Sequence, residues 1–158
     1  VEDLLLLARA DEQALVPRRE TVHVDDMADA EAARIRIETA LRVHTDIGAA
    51  VVNADPRALA RVLRNLLDNA IRHARTRIDI ETRTDESNAI LVVGDDGPGV
   101  PTEDRARVFD RFVRLDADRS RHSGGAGLGL AIVAEIVAAH RGTVRLDERP
   151  GGGGAACH

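Results

Sequence analysis

Seven apolar residues at three- and four-residue spacing, Leu59, Val62, Leu63, Leu66, Leu67, Ala70 and Ile71, set one long amphipathic helix in the middle of this chain. Asp55-Pro56 opens it, with Asp as N-cap and Pro in the first turn, where a missing N–H does no harm. Arg61, Arg64, Asp68 and Arg72 fall off the stripe. A stripe this regular needs a packed neighbour, so the chain must build a globular core around it. With 158 residues and 44% hydrophobic side chains it has the means.

The flanking segments predict strands and two further helices. Glu20 to Val24 alternates, and Asp25-Asp26 is placed to cap a helix running to about Arg36. Leu41 to Ile47 and Ala49 to Asn53 read as two short strands around Gly48. Ile78 to Thr82 alternates, Asp85 to Asn88 is turn chemistry, and Ala89 to Val93 is continuously apolar, which together predict an antiparallel hairpin. Leu128, Ile132, Val133, Ile136 and Val137 mark a helix ending near His140, with Gly142 as its stop and Thr143 to Leu146 as a strand. Between them, from Gly97 to about Gly124, no apolar period is sustained, and a long mobile segment is expected. Gly151 to His158 reads as a flexible close.

Composition removes several functions. Aromatic residues make up 1%, with no Trp or Tyr, so stacking platforms for single-stranded nucleic acid are missing. A net charge of -5 lacks the basic excess of a duplex-binding face, and no nucleic-acid partner is expected. All 22 basic residues are Arg, which excludes a P-loop and the strand Lys of eukaryotic-type kinases. The single Cys157 excludes an internal disulfide and a Cys-based zinc cluster, in keeping with a reducing compartment. None of the six His residues pairs with another at metal-ligand spacing. No apolar run approaches the roughly 20 residues that span a bilayer.

Three motifs remain that carry chemistry. Asn65 and Asn69, four apart, share one helix face and offer two neutral carboxamide oxygens, a donor type suited to Mg²⁺ beside phosphates. Asp95 follows an apolar strand, where its carboxylate can accept from the exocyclic amine of a base; Gly97 and Gly99 after it permit tight turns. Gly125-Ala126-Gly127-Leu128-Gly129-Leu130 opens a helix whose N–H groups and dipole can cradle phosphate oxygens. Between the last two motifs lie many Arg and Asp residues and the only aromatics, Phe109 and Phe112, expected to pack on the core as i, i+3 neighbours.

This ordered set, with Val108-Phe109-Asp110-Arg111-Phe112 in its place, resembles the N, G1, F and G2 boxes of the catalytic ATP-binding domain of bacterial sensor histidine kinases. That domain is part of the gyrase, heat-shock chaperone and mismatch-repair ATPase superfamily. The likeness spans about residues 20 to 146. It implies an α+β fold: a two-layer α/β sandwich, with a mixed, mostly antiparallel sheet covered by helices on one face. ATP would lie between two helices beneath a lid at about residues 97–124. Carried over by position, Asn69 is implied as the main Mg²⁺ ligand and Asn65 as its companion, both counted as catalytic together with Arg111 of the lid. Arg72 would contact phosphate, Asp95 the adenine amino group, and Gly97 and Gly99 would shape the base pocket. Gly125, Gly127 and Gly129, with Leu128 and Leu130 between and after them, would close on the phosphates. His73 stands where the family often has Tyr, at the ribose and base contact.

The resemblance also implies partners. Residues 1–16 resemble the end of the second helix of a dimerisation and phosphoacceptor domain, leaving 17–158 as the catalytic domain. The acceptor His is expected upstream, so this chain alone is expected not to phosphorylate itself there. A response regulator is the implied recipient downstream, and the whole protein is implied to be a membrane-anchored homodimer with this domain in the cytoplasm. The end of the chain stops short of the family's apolar last strand, so an edge strand is expected to be absent or poorly formed.

Overall fold

A computed structural model describes residues 18–112, 128–148 and 155–157. In chain order they form β1 (Glu20–His23), α1 (Val24–Glu38), β2 (Arg42–Ile47), β3 (Val51–Ala54), α2 (Pro56–His73), β4 (Arg77–Asp85), β5 (Asn88–Asp95), α3 (Gly129–Ala139), β6 (Leu146–Glu148) and β7 (Ala155–Cys157). Two short 3-10 turns, Thr102–Asp104 and Arg107–Phe109, follow β5.

The central helix forms as its stripe requires. Asp55 caps α2 by accepting the N–H groups of Arg57 and Ala58 at 2.8 and 3.3 Å, an arrangement worth about 1 kcal/mol. Val62, Leu63, Leu66, Leu67 and Ala70 are buried against Ile78, Ile80 and Val93 of the sheet and against Ala28, Ala32 and Ile35 of α1. Each buried Leu contributes roughly 1.5–3 kcal/mol through the water it sheds. Arg64 on the outer face reaches Glu31 of α1 at 3.6 Å, while Glu31 also pairs with Arg34 at 2.7 Å. Val24, not Asp25, begins α1; His23 is its N-cap and gives no side-chain bond, so Asp25 and Asp26 act from within the first turn, where a carboxylate suits the helix dipole.

The main sheet has five strands in the order β2-β4-β5-β7-β6. β2 and β4 run parallel, and every other neighbouring pair is antiparallel, as the mixed sandwich implies. β4 and β5 make the predicted hairpin, paired from Ile78↔Asp95 to Asp85↔Asn88, with Glu86 at φ 51° in its turn.

The two strands expected around Gly48 both form, in different sheets: β2 lies in the main sheet, and β3 joins β1 in a separate two-stranded antiparallel sheet. Gly48 is the branch point, because its N–H donates to the Thr82 carbonyl at 2.8 Å and a Cβ there would stand 2.9 Å from that oxygen. β7 exists, and it is no edge: Ala155–Cys157 lies between β5 and β6, with Gly94↔Ala156 and Leu146↔Cys157. Ladder bonds on both sides hold a segment whose small residues carry little strand propensity of their own. β6 begins at Leu146, three residues later than the sequence pattern predicts. At the end of α3 the left-handed residue is Arg141, at φ 60°, and Gly142 follows with its N–H on the Val137 carbonyl at 2.9 Å.

The edge strand β2 is dressed with charge. Arg42, His44 and Asp46 are exposed along it, and Arg36 of α1 donates to the Val43 carbonyl and to Thr45 Oγ1, each at 3.2 Å.

Candidate nucleotide site

α2 carries both ends of the site. On its third and fourth turns Asn65 and Asn69 are half-buried, and Asp68 and Arg72 are exposed beside them. The start of α3 packs here: a Cβ on Gly129 would lie 3.5 Å from Asn65 Oδ1, ordinary contact distance. Leu128, buried at 2% exposure, is the N-cap of α3 and supplies no side-chain bond to the first turn. A helix start whose cap offers no side-chain acceptor therefore stands against a carboxamide, with first-turn N–H groups that the cap side chain does not satisfy. Leu130, half-buried, follows in the same turn; Gly125 and Gly127 lie outside the described residues.

At the other end, Asp95 closes β5 at 4% exposure and accepts the Gly97 N–H through Oδ1 at 2.7 Å. Gly97 presses on the end of α2: a Cβ would stand 2.4 Å from the His73 carbonyl oxygen and 2.6 Å from Asp95 Oδ1. No side chain fits. Gly99 has φ 74°, so the two glycines serve different needs, close approach and handedness. His73 is half-buried at this junction.

Asp96, the residue after Asp95, is held by four donors of the turn that follows α2. Its Oδ1 accepts the backbone N–H groups of Arg75, Thr76 and Arg77 at 2.8, 2.9 and 3.0 Å. Its Oδ2 accepts the Thr76 hydroxyl at 2.6 Å. Burial pushes this carboxyl up, but bonds from the Thr76 hydroxyl and from three backbone N–H groups outweigh it and hold the acid well below the usual carboxylate range.

His140 is a second tie that local sequence does not announce. Its Nε2 accepts the Asp55 N–H at 3.1 Å and its Nδ1 lies 2.8 Å from the Ile136 carbonyl, which assigns the ring proton to Nδ1. The imidazole thus fastens the end of α3 to the start of α2, 85 residues away.

The described part of the lid is not featureless. Val108 is buried and Phe109 packs against the core beside it. Phe112 does not share that anchor: its backbone is left-handed at φ 64° and its side chain is 59% exposed. Arg111 is held on the flank of α3, donating from Nε to Glu135 Oε1 at 2.8 Å and from its terminal nitrogen to the same oxygen. Arg105 donates to the Val100 carbonyl at 3.0 Å.

Among the described residues no group of three or more His, Cys, Asp or Glu side chains converges to hold a metal. The donors present are two neutral carboxamides. They fit Mg²⁺ as a minor share of an oxygen shell completed by phosphate and water.

An ATP-binding sandwich of this topology defines a class, and the comparisons name it. The chain belongs to the histidine kinase-, DNA gyrase B- and HSP90-like ATPase family, which residues 54–157 match. Within it, sequence and fold are those of the ATP-binding domain of sensor histidine kinases. It is 36% identical over 159 residues to the sensor histidine kinase CpxA of Escherichia coli K12, covering 97% of this chain and 34% of that protein. The chain thus spans about a third of such a relative. The solved mycobacterial sensor histidine kinase MprB superposes with a TM-score of 0.76 at 31% identity, over 88% of this chain and 93% of that one. Full-length ShkA in complex with AMPPNP gives a TM-score of 0.79 at 27% identity, over 98% of this chain and 33% of that one. Among the described residues no helix is long and apolar enough to cross a membrane.

Proposed function

We propose that this domain holds Mg-ATP between α2 and α3 and presents its γ-phosphoryl group to a His on a separate phosphoacceptor domain. The observation that supports it most is the seating of the α3 start on Asn65, midway along α2, whose C-terminal end lies against the Gly97 that donates to the buried carboxylate of Asp95. Asn69 and Asn65 contribute carboxamide oxygens to the cation, and Arg72 reaches phosphate. Magnesium, when bound, neutralises phosphate charge that the chain's own donors then have only to orient. Asp95 accepts from the adenine amino group within walls set by Gly97, Gly99 and His73. Gly125, Gly127 and Gly129, with Leu128 and Leu130, offer backbone N–H groups to the phosphates. Arg111 is the lid cation, which leaves Glu135 for the γ-phosphoryl group when the lid closes.

Residues 1–16 then belong to the acceptor domain and 17–158 to the catalytic one, in a membrane-anchored homodimer that signals to a response regulator from the cytoplasmic side. Titration calorimetry with Mg-ATP tests the site: Asn69→Asp is expected to lower affinity at least about tenfold, the scale of one lost or repelled charge-assisted contact. Unchanged affinity would remove Asn69 from the metal. Mixing with an acceptor domain and labelled ATP tests the transfer, which is expected to label its His.

A further inference from the structure

Three consecutive residues divide one task. Asp95 is paired in the sheet with Ile78, and Gly97 sits on the His73 carbonyl while donating to Asp95 Oδ1. Asp96, between them, closes the gap on the other side of the chain. Its carboxylate gathers the N–H groups of Arg75, Thr76 and Arg77, the residues that lead from α2 into β4, and its own N–H donates to the Arg77 carbonyl at 3.2 Å. The Thr76 carbonyl in turn receives the Arg42 N–H at 2.9 Å, so the edge strand is tied to the same turn. The clamp thus adds a further tie, beside the Gly97 contact, between the end of α2 and the strand end that carries Asp95.

We infer that Asp96 is a positioning residue for base recognition: by fixing the α2–β4 turn it holds Asp95 where an exocyclic amino group is read, and so sets the preference for adenine over a 6-oxo purine. The inference rests on the assignment of Asp95 to the base. A carboxylate that accepts backbone N–H groups this densely is already saturated by protein, so it contributes through Asp95 and not by touching the nucleotide.

The experiment compares Mg-ATP with Mg-inosine triphosphate, which carries an oxygen where adenine has its amino group, by calorimetry on the whole chain. Asp96→Ala is expected to weaken ATP about tenfold and inosine triphosphate less than about twofold, so the preference collapses. Asp96→Asn keeps a side-chain oxygen for the three N–H groups and is expected to restore ATP affinity to within about threefold of the parent. Thr76→Val removes only the hydroxyl bond and is expected to cost ATP about threefold; it decides the matter if Asp96→Ala does not fold. Ile35→Val, a core change in α1 remote from this turn, is expected to leave the preference intact.

Equal loss of both nucleotides, or an unchanged preference in Asp96→Ala, overturns the inference while leaving the base assignment standing. A parent chain that binds both nucleotides equally overturns the base assignment itself, and this inference with it.

Discussion

The two ends of the site are built on different principles. At the base end, Asp95, Asp96 and Gly97 are locked to α2 and β4 by short hydrogen bonds and by a backbone approach with no room for a Cβ. At the phosphate end, the start of α3 meets Asn65 at ordinary van der Waals distance and Arg111 rests on Glu135 in an exposed ion pair. In the proposed site the first end receives a rigid heterocycle and is made rigid in advance. The second receives a charged chain that must enter and leave, and its contacts are of a kind that exchange at little cost.

Gly97→Ala is the hardest blow to this contrast. Its Cβ would fall 2.4 Å from the His73 carbonyl, so backbone must move, and a loss of about 3 kcal/mol or more is expected from urea unfolding. Next comes His140→Ala, which leaves the Asp55 N–H and the Ile136 carbonyl without their shared partner; about 1–3 kcal/mol is expected, again by urea midpoint. Arg111→Ala removes the exposed pair with Glu135 and is expected to change stability by about 1 kcal/mol while lowering phosphotransfer to an acceptor domain. Gly129→Ala is the mildest, within about 0.5 kcal/mol, because the new methyl group only touches Asn65. If Gly129→Ala proved as damaging as Gly97→Ala, the two ends would be equally rigid and the contrast would fail.

Acid sharpens the same comparison. Asp96 is held below the ordinary carboxylate range, so its clamp contributes fully at pH values above about 4, where the unfolded chain's carboxyl is also ionised. As pH falls below that, the unfolded state takes up the proton first and the contribution is progressively lost. The stability difference between the parent and Asp96→Asn is therefore expected to stay constant from neutral pH to about 5 and to shrink below about 4. Denaturant melts at a series of pH values measure it.

What the sequence made legible was whatever is encoded locally. The α2 stripe and its Asp55-Pro56 start are local, as are the alternation and turn residues of the β4–β5 hairpin, and the structure follows both. The motif order placed Asn65, Asp95 and Gly129 on the elements where they stand. Partner choice was not legible: nothing near Gly48 says that β2 goes to β4 and β3 to β1, because strand pairing is decided by distant segments. Ala155–Cys157 was hidden for the same reason. Asp96 reaches back 20 residues and His140 85, and such ties leave no periodic trace in a sequence. Phe112 looked like an anchor by spacing, but spacing predicts a shared face only on a helix, and the chain leaves helical geometry there.

Arg36, which reaches from α1 to the Val43 carbonyl, has a consequence for how molecules of this protein meet one another. An open strand edge is a template on which a neighbouring chain can zip itself, the first step toward fibres and precipitates. On β2 that template is spoiled twice, by a guanidinium seated on one of its carbonyl oxygens and by the exposed polar side chains of Arg42, His44 and Asp46. Crowded together, copies of this domain find along β2 a guarded border in place of an invitation to polymerise.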